Sequence, residues 1–245
     1  MILQIVDRAI KLNSILRNQY FLGSLLLHGV AASTEHRKLL SCLTHQEFQT
    51  VVDIGANRGQ FALAARQYFP AAKIVSFEPL KEPASIFRRV FNSDPKVVLH
   101  EIAIGPAEGE MTIHVSRQDD SSSLLPITSL QNQLFPGTGE KEVRTIKVNP
   151  LDAVLNSKDI EMPALLKLDV QGYERQALEG CKSLLRMFSC VYVECSFVEL
   201  YSGQSLAHEI ITYLDHFGFA LSGVYNLSYD RSGKAIQGDF FFKVK

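Results

Sequence analysis

The sequence has almost no net charge, no paired-cysteine motif and no long apolar run, and each absence excludes a class of protein. Its 25 Lys and Arg residues balance 26 Asp and Glu residues, for a formal net charge of −1. Such a chain has no general electrostatic attraction for nucleic acid or for an anionic membrane surface. We therefore expect neither as a partner.

The four cysteines do not indicate a disulfide framework. Cys42, Cys181, Cys190 and Cys195 form no CxxC pair and have apolar neighbours. A cysteine in such surroundings usually acts as a small core residue. We expect free thiols in a reducing compartment.

The apolar stretch near the N-terminus does not have the form of a membrane span or a signal peptide. Residues 21–31, FLGSLLLHGVA, are too few to cross a bilayer and include a histidine. Asp7 and Arg8 precede a helical pattern rather than a cleavage site. The expectation is a cytoplasmic protein without a membrane span.

Hydrophobic periodicity divides the chain in two. Residues 1–48 carry apolar residues at helical spacing, namely Ile5, Ala9, Leu12, Ile15 and Leu16. Residues 49–245 alternate buried-strand patterns such as QTVVDIG and KIVSFEP with helical patterns, which is typical of one α/β domain with a mostly parallel sheet. The last two strand patterns, FALSGVYNLSYD and GDFFFKVK, predict an antiparallel hairpin. We expect a helical extension, 1–48, in front of this domain.

Three further segments carry specific predictions. KVVLHEIAIG, 96–105, predicts one continuous strand, and residues 173–188 predict one helix with a single apolar face. Residues 116–141 are rich in Ser, Gln, Pro and Gly and predict a long surface loop. This loop is interpreted as a lid over the substrate, with a disordered connection as the alternative.

Ligands of a parallel sheet bind beyond the carboxyl ends of its strands, and VVDIGANRGQF at 51–61 lies at such an end. Its glycines, Gly55 and Gly59, do not follow the G-x-G-x-x-G spacing of a dinucleotide site, because Asn57 occupies the middle glycine position. Asp53 is a poor neighbour for a phosphate and suits a cationic or amino-bearing ligand. A plain strand-to-helix turn is the alternative.

A carboxylate also ends the second strand pattern. Glu78, followed by Pro79, stands where a carboxylate can accept both hydroxyls of a ribose, with a solvated glutamate as the alternative. Together with Asp53 and the glycine turn, this pattern fits a nucleoside with a cationic substituent and no phosphate. S-adenosylmethionine has this composition.

The stretch LLKLDVQGYE at 165–174 is the second candidate for chemistry. Lys167 and Asp169 are two residues apart on a predicted strand and therefore share a face, where they could also form a purely structural ion pair. Glu174 is expected to open the next helix, and Glu194 ends a neighbouring strand. The histidines show no HxH or HExxH pattern, and although three carboxylates could hold a hard cation, we expect no metal.

Taken in order, these motifs resemble the FkbM family of S-adenosylmethionine-dependent methyltransferases. The resemblance spans about residues 50–200 and rests on VVDIGANRGQF, SFEPL, IAIG with a following glycine, SSSL, PLDAVL and LLKLDVQGYERQALEG. It implies a Rossmann-like class I methyltransferase fold: a doubly wound, mostly parallel seven-stranded sheet with an antiparallel C-terminal hairpin strand. It also implies methyl transfer to a hydroxyl of a sugar, polyketide or related natural product.

The resemblance implies a role for each site residue. Asp53 and the turn from Gly55 through Asn57 to Gly59 would hold the amino-acid part of S-adenosylmethionine. Glu78 and Pro79 would adjoin the ribose, and Ile102 and Ala103 the adenine. Asp169 would face the sulfonium and the acceptor. One departure is Gln171, which replaces an acidic residue common in the family.

An alcohol is a weak nucleophile, so a base must take its proton during attack. Asp169 is the first candidate for this base, Lys167 would orient it, and Glu194 is the second candidate. Three alternative functions stay open at this point: an RNA ribose methyltransferase, a nicotinamide-dependent oxidoreductase and a non-catalytic cofactor-binding module.

Overall fold

The computed structural model describes residues 13, 15, 16 and 18–245. The predicted positions Ile5, Ala9 and Leu12 lie outside the described residues. Within them are seven α-helices: α1 Gln19–His28, α2 Arg37–Cys42, α3 Gln60–Tyr68, α4 Lys81–Val90, α5 Ser129–Leu134, α6 Glu174–Gly180 and α7 Ala207–His216. The strands are β1 Thr50–Ile54, β2 Lys73–Phe77, β3 Val97–His100, β4 Ala103–Ile104, β5 Gly109–Ser116, β6 Glu140–Asn149, β7 Ala164–Leu168, β8 Cys190–Ser196, β9 Phe219–Tyr229 and β10 Ala235–Val244.

The main sheet has seven strands in the order β3-β2-β1-β7-β8-β10-β9. Strands β1, β2, β3, β7 and β8 pair in parallel, whereas β10 pairs antiparallel with both β8 and β9. The predicted doubly wound sheet with an antiparallel C-terminal hairpin is thus confirmed. The strand order reverses between β1 and β7, the position at which such sheets open a ligand crevice.

Apolar layers cover both faces of this sheet. Every residue of β1 is buried, and neighbouring residues point to opposite faces. Val52 packs into one core cluster together with Phe77 and Leu166. Val51 packs into the other, with Phe61 of α3 and with Leu39 and Phe48 from the N-terminal segment. The described part of that segment therefore shares the core of the sheet, and the predicted boundary at residue 48 stays a prediction.

Helix ends follow local signals. The Asn18 side chain accepts hydrogen bonds from the backbone N–H groups of Tyr20 and Phe21 and so caps the start of α1. Gly29 ends this helix with a left-handed φ of 69°. The next residues, 30–36, then run onto the carboxyl edge of the sheet.

Two segment predictions are wrong. The strand predicted over 96–105 is divided, because β3 pairs with β2 only as far as His100, and β4 pairs instead with β6. Strands β4, β6 and β5 form a separate three-stranded sheet. The helix predicted over 173–188 ends at Gly180, where a side chain would meet the Gly105 carbonyl oxygen at 2.3 Å. The apolar pattern of each segment reports burial, and burial alone does not determine the partner strand or the helix length.

The predicted loop at 116–141 is folded onto the domain. It contains a short 3-10 turn, Asp119–Ser121, and then α5, which Thr128 caps by accepting the Gln131 N–H. Apolar residues around α5 pack against Leu200 and Tyr201. This packing holds the segment over the carboxyl edge of the sheet.

Candidate active site

A cavity of about 600 Å³ opens at the strand-order reversal. Residues that follow β1, β2 and β7 line it, together with residues at the start of β4. The N-terminal segment and the folded loop also contribute to the wall. Its volume lies within the range of about 300 to 1,000 Å³ that is usual for small-molecule sites.

The turn after β1 forms the floor of the cavity. Gly55 has a φ of 80°, and a Cβ placed on it would lie 1.8 Å from the backbone oxygen of Asp169. The loops after β1 and β7 can therefore meet only if residue 55 lacks a side chain. Residue 55 must therefore be glycine to leave room for the protein's own backbone, not for a ligand.

Glu78 lies buried beside this turn. Its Oε2 accepts the Asn57 N–H at 3.0 Å and its Oε1 accepts the Leu80 N–H at 2.8 Å. Burial raises the pKa of Glu78 to about 7, although both backbone hydrogen bonds favour the carboxylate. Each oxygen retains a lone pair, so the carboxylate can still accept hydrogen bonds from a ligand in the cavity.

Asp53 lies beneath the cavity, with no solvent exposure. Its Oδ1 is 3.0 Å from the Nζ of Lys167, which also donates a hydrogen bond to the Gly55 carbonyl. Burial alone would lower the pKa of Lys167, but Asp53 and Asp169 raise it above its usual value. Lys167 is therefore an ammonium, and Asp53 acts on the cavity only through it.

Asp169 reaches the cavity with 36% of its side chain exposed. One carboxylate oxygen is 3.8 Å from the Lys167 Nζ, and the other accepts a hydrogen bond of 2.7 Å from the Gln171 amide. Both neighbours stabilise a negative charge. Asp169 is thus a partly exposed side chain just beyond the carboxyl end of β7, in the wall of the cavity.

Gln171 connects the acidic groups at this end of the sheet. Its amide nitrogen also lies 3.2 Å from Glu194 Oε2, and its oxygen accepts the Tyr201 hydroxyl at 2.6 Å. Its φ of 55° is uncommon for a residue other than glycine. Hydrogen bonds to three side chains hold this conformation, so the residue that departs from the family pattern is a structural centre of the site.

Glu194 and Glu174 lie outside the cavity wall. Glu194 accepts hydrogen bonds from the amides of Gln171 and Gln237, and its burial, with Asp169 as the nearest charge, raises its pKa well above the usual value. Glu174 Oε1 accepts the Val170 and Gly172 N–H groups, which stabilises the turn that leads into α6. Both glutamates support the loop after β7 from behind.

The folded loop closes the cavity on one side. Arg58, in the glycine turn, donates two hydrogen bonds to Asp119 Oδ2, at 2.6 and 3.0 Å. Asp119, Asp120 and residues 121–124 line the cavity. The loop thus forms part of the cavity wall, and its role as a lid over the substrate stays a prediction.

The structure brings most of the predicted site residues to this one cavity. Those in its wall are Gly55, Asn57, Glu78, Pro79, Ile102, Ala103, Lys167 and Asp169. Asp53, Gly59 and Glu194 are adjacent to the cavity but not in its wall. In the part of the chain that the structure describes, no group of three or more His, Cys, Asp or Glu residues is placed to hold a metal ion.

Several wall residues were not predicted from the sequence. They are residues 29–31, Ser33, Glu35, His36, Arg58, Phe61, Gln171 and Gln237, among others. His36 and Gln237 come from opposite ends of the chain, and neither stands in a motif with the other site residues. The contribution of the N-terminal segment could have been found only from its packing.

No helix among residues 13, 15, 16 and 18–245 has both the length and the apolar composition needed to cross a membrane. This agrees with the absence of a long apolar run from the sequence.

Comparisons with known proteins identify the relatives of this chain. Residues 53–221 match the family model described as the methyltransferase FkbM domain. The 2-O-methyltransferase NoeI of Sinorhizobium fredii is 28% identical over 188 residues, which cover 74% of this chain and 77% of that protein. Methyltransferase 1 of Beauveria bassiana is 28% identical over 145 residues, covering 53% of this chain and 57% of that protein.

A solved structure shares the fold. The O-methyltransferase from Bacillus cereus in complex with SAH superimposes with a TM-score of 0.53, covering 98% of this chain and 97% of that one. Its sequence is 12% identical, so the likeness extends to the fold alone.

Proposed function

The chain belongs to the FkbM methyltransferase family, whose model spans residues 53–221, and from this premise we propose that it is an S-adenosylmethionine-dependent O-methyltransferase acting on a hydroxyl of a saccharide-class small molecule. That it is a methyltransferase follows from the family. The methyl donor and the class of acceptor are the proposed parts. The observation that supports both parts is that Glu78 and Asp169 line the same cavity.

The residues present fit this donor. Glu78 offers a carboxylate next to the glycine turn, as a ribose requires. Ile102 and Ala103 provide an apolar surface nearby for an adenine. Asp169 provides a carboxylate in the wall, where it would favour a sulfonium. The turn from Gly55 to Asn57 would then hold the amino-acid end, with Asp53 acting from beneath through Lys167.

The remaining wall suits a neutral, hydroxyl-rich acceptor. It offers amide side chains, Gln131, Gln171 and Gln237, and the serines 121–123. Amides and hydroxyls hydrogen-bond to hydroxyl groups without requiring a charge on the ligand. The name of the NoeI relative, a 2-O-methyltransferase, supports a hydroxyl oxygen as the methyl acceptor.

When bound, S-adenosylmethionine supplies a methyl carbon that bonds to the acceptor oxygen as the carbon–sulfur bond breaks and its electron pair stays on sulfur. The protein must align the acceptor oxygen behind that carbon, and positioning alone can account for much of the rate. The protein must also accept the hydroxyl proton. Asp169 is the base that the sequence predicts, and it lies at the required edge of the sheet.

Calorimetric titration tests the donor. We expect S-adenosylhomocysteine to bind and NAD not to bind. Glu78→Gln should weaken binding of S-adenosylhomocysteine by about 10- to 150-fold, because loss of a hydrogen bond to a charged group costs roughly 1.5–3 kcal/mol. Glu108→Gln, at an exposed position, is the matched control. Equal affinity in both variants would contradict the assignment of Glu78.

A transfer assay tests the acceptor. Methyl-labelled S-adenosylmethionine is incubated with a panel of neutral oligosaccharides, acidic oligosaccharides, polyketide alcohols and short RNA. Label in a neutral oligosaccharide, located at an ether oxygen by mass spectrometry, is the expected result. Label in RNA alone would overturn the proposed acceptor class while leaving the donor assignment intact.

A further inference from the structure

A cluster of polar side chains lies behind one wall of the cavity. His36 Nδ1 is 2.9 Å from the Tyr192 hydroxyl and 3.4 Å from Asp239 Oδ2. Asp239 Oδ2 also accepts the Tyr192 hydroxyl at 2.9 Å and the Asn226 amide at 2.7 Å. The His36 and Asp239 side chains are 11% and 14% exposed. The N-terminal segment thus contributes a histidine to a cluster built by β8, β9 and β10.

The hydrogen-bond directions assign the tautomer of His36. Burial works to raise the pKa of Asp239, but the hydrogen bonds from His36, Asn226 and Tyr192 hold it below its usual value. Asp239 is therefore an acceptor, and the Tyr192 hydroxyl donates its one hydrogen to it. This hydroxyl can only accept from His36, so Nδ1 carries a hydrogen, and in the neutral imidazole Nε2 then carries the lone pair. The Asn226 amide lies farther from Nδ1, at 3.3 Å.

The ring nitrogen of His36 without a protein partner among the described residues, Nε2, is the one available on the side of the cavity. His36 lines the cavity, whereas Tyr192, Asn226 and Asp239 do not. In the described part of the chain, the hydrogen bonds of the His36 side chain all run through Nδ1. Since Nδ1 is engaged with side chains outside the cavity wall, we infer that Nε2 is the ring nitrogen available to a ligand in the cavity.

His36 and Lys167 share one aromatic neighbour, Phe61. Its ring meets the Phe61 ring edge-on, with centroids 5.3 Å apart. The Lys167 Nζ lies 5.3 Å from the centroid of the same Phe61 ring. The charged groups near His36 are thus Asp239, Lys167 and Asp53, together with Glu35, its neighbour in the chain. The neutral Tyr192 hydroxyl also contacts the ring.

On the basis of the proposed function, we propose that His36 is the base that takes the acceptor's proton and that Asp239 and Tyr192 position it. The acceptor O–H bond breaks, its proton moves to Nε2, and the oxygen's electron pair forms the bond to the methyl carbon. The positive charge that leaves the sulfonium thus appears on the imidazolium, which releases its proton to water after the product departs.

Asp169 is less suited to this step than His36. Both Asp169 oxygens are already engaged, one 3.8 Å from the Lys167 ammonium and the other with the Gln171 amide at 2.7 Å, whereas the hydrogen bonds of His36 to the described residues leave its Nε2 open. Imidazole is also the side chain that most often serves as a general base. A carboxylate behind Nδ1 then stabilises the imidazolium that forms. Asp169 keeps the role of facing the sulfonium.

The first test requires no acceptor. Long-range ¹H–¹⁵N spectra of the imidazole-labelled protein, recorded over a pH series and assigned with His36→Asn, should show the neutral His36 ring with Nδ1 protonated and Nε2 unprotonated. Asp239→Asn should shift the ring toward the other tautomer. A wild-type ring with its hydrogen on Nε2 would overturn the proposal, whether or not an acceptor is known.

The second test uses the neutral oligosaccharide that the transfer assay identifies. His36→Asn retains a donor toward Tyr192 but lacks Nε2, and should lower kcat by about 10²- to 10⁴-fold. Binding of S-adenosylhomocysteine should stay within twofold of wild type. His45→Asn, an exposed position in the same segment, is the matched control.

The outcomes separate this proposal from the proposed function. Wild-type turnover by His36→Asn, with turnover lost in Asp169→Asn, would assign the base to Asp169 and overturn the role of His36. Failure of the wild-type protein to bind S-adenosylhomocysteine would instead refute the proposed donor, and the tautomer spectra would still decide the geometry of the His36 cluster.

Discussion

Replacing Lys167 by methionine should cause a large loss of stability that depends on pH. Methionine preserves much of the apolar stem of the lysine but removes the ammonium, and this leaves the Asp53 carboxylate without its partner. Asp53 has no solvent exposure. The perturbation therefore isolates one buried charge beneath the active site.

The distance sets the magnitude. At 3.0 Å between Lys167 Nζ and Asp53 Oδ1, two unit charges attract by about 5–6 kcal/mol at an effective dielectric constant of about 20. Breaking a buried pair by removing one partner costs roughly 3–5 kcal/mol. We expect Lys167→Met to lose about 3–5 kcal/mol in the free energy of unfolding at pH 8.

The variant should recover on acidification. Burial already raises the pKa of Asp53, and the Lys167 ammonium opposes this rise. Without the ammonium the folded state binds the Asp53 proton still more tightly than the unfolded chain does. The stability gap to the wild-type protein should therefore narrow as the pH falls.

Urea unfolding at several pH values measures this gap, with Lys182→Met at an exposed position as the control. The double variant Asp53→Asn/Lys167→Met should be more stable at pH 8 than Lys167→Met, because it leaves no buried charge unpaired. A loss below about 1 kcal/mol for Lys167→Met at pH 8, or a gap independent of pH, would refute the reasoning.

Three further predictions concern the surroundings of the site. Gly55→Ala should lower the free energy of unfolding in urea by about 3 kcal/mol or more, because a Cβ would overlap a backbone oxygen at 1.8 Å. The control Gly203→Ala has a φ of 78° but nothing within 4 Å of its Cβ, and it should lose clearly less stability. Equal losses in the two variants would contradict the overlap. Burial raises the pKa of Glu174 from 4.5 to about 7. The ionised group therefore makes the folded state less stable as the pH rises through that window. At pH 8, the free energy of unfolding of Glu174→Gln should exceed that of the wild-type protein by at most about 3 kcal/mol. Arg58→Gln should speed hydrogen exchange in residues 116–141 while changing global stability by less than about 1 kcal/mol; unchanged exchange would show that the loop does not depend on this ion pair.

Local signals explain why much of the fold was predictable. The buried run before Asp53 and the helix pattern that follows Gly59 are properties of short stretches, and the order of such stretches limits the sheet to few topologies. The rule that ligands bind at the carboxyl ends of parallel strands then places Glu78 and Asp169 at one edge. Both residues line the cavity in the structure.

The errors arise where a short stretch does not determine its partner. Residues 96–105 contain only three polar side chains, Lys96, His100 and Glu101, but their division into β3 and β4 depends on β6, whose pairing residues lie more than forty residues later in the chain. Gln171 stood out in the sequence only as a departure from a motif. Of its hydrogen-bond partners Asp169, Glu194 and Tyr201, the last two lie in strand β8 and in the loop after it, more than twenty residues away in the chain.

Short stretches of the sequence are enough to predict the fold class, the family and the edge of the sheet that carries the cavity, because each prediction rests on residues that are close together in the chain. Which side chains share the cavity depends instead on tertiary packing. Asp53 stands in the motif but is buried beneath Lys167, whereas His36 stands in no motif and reaches the wall. Pairing of β10 with β8 places Asp239 beside Tyr192, and packing of the N-terminal segment on the same core places His36 against both. Contacts of this kind depend on the whole sheet, and no local pattern encodes them.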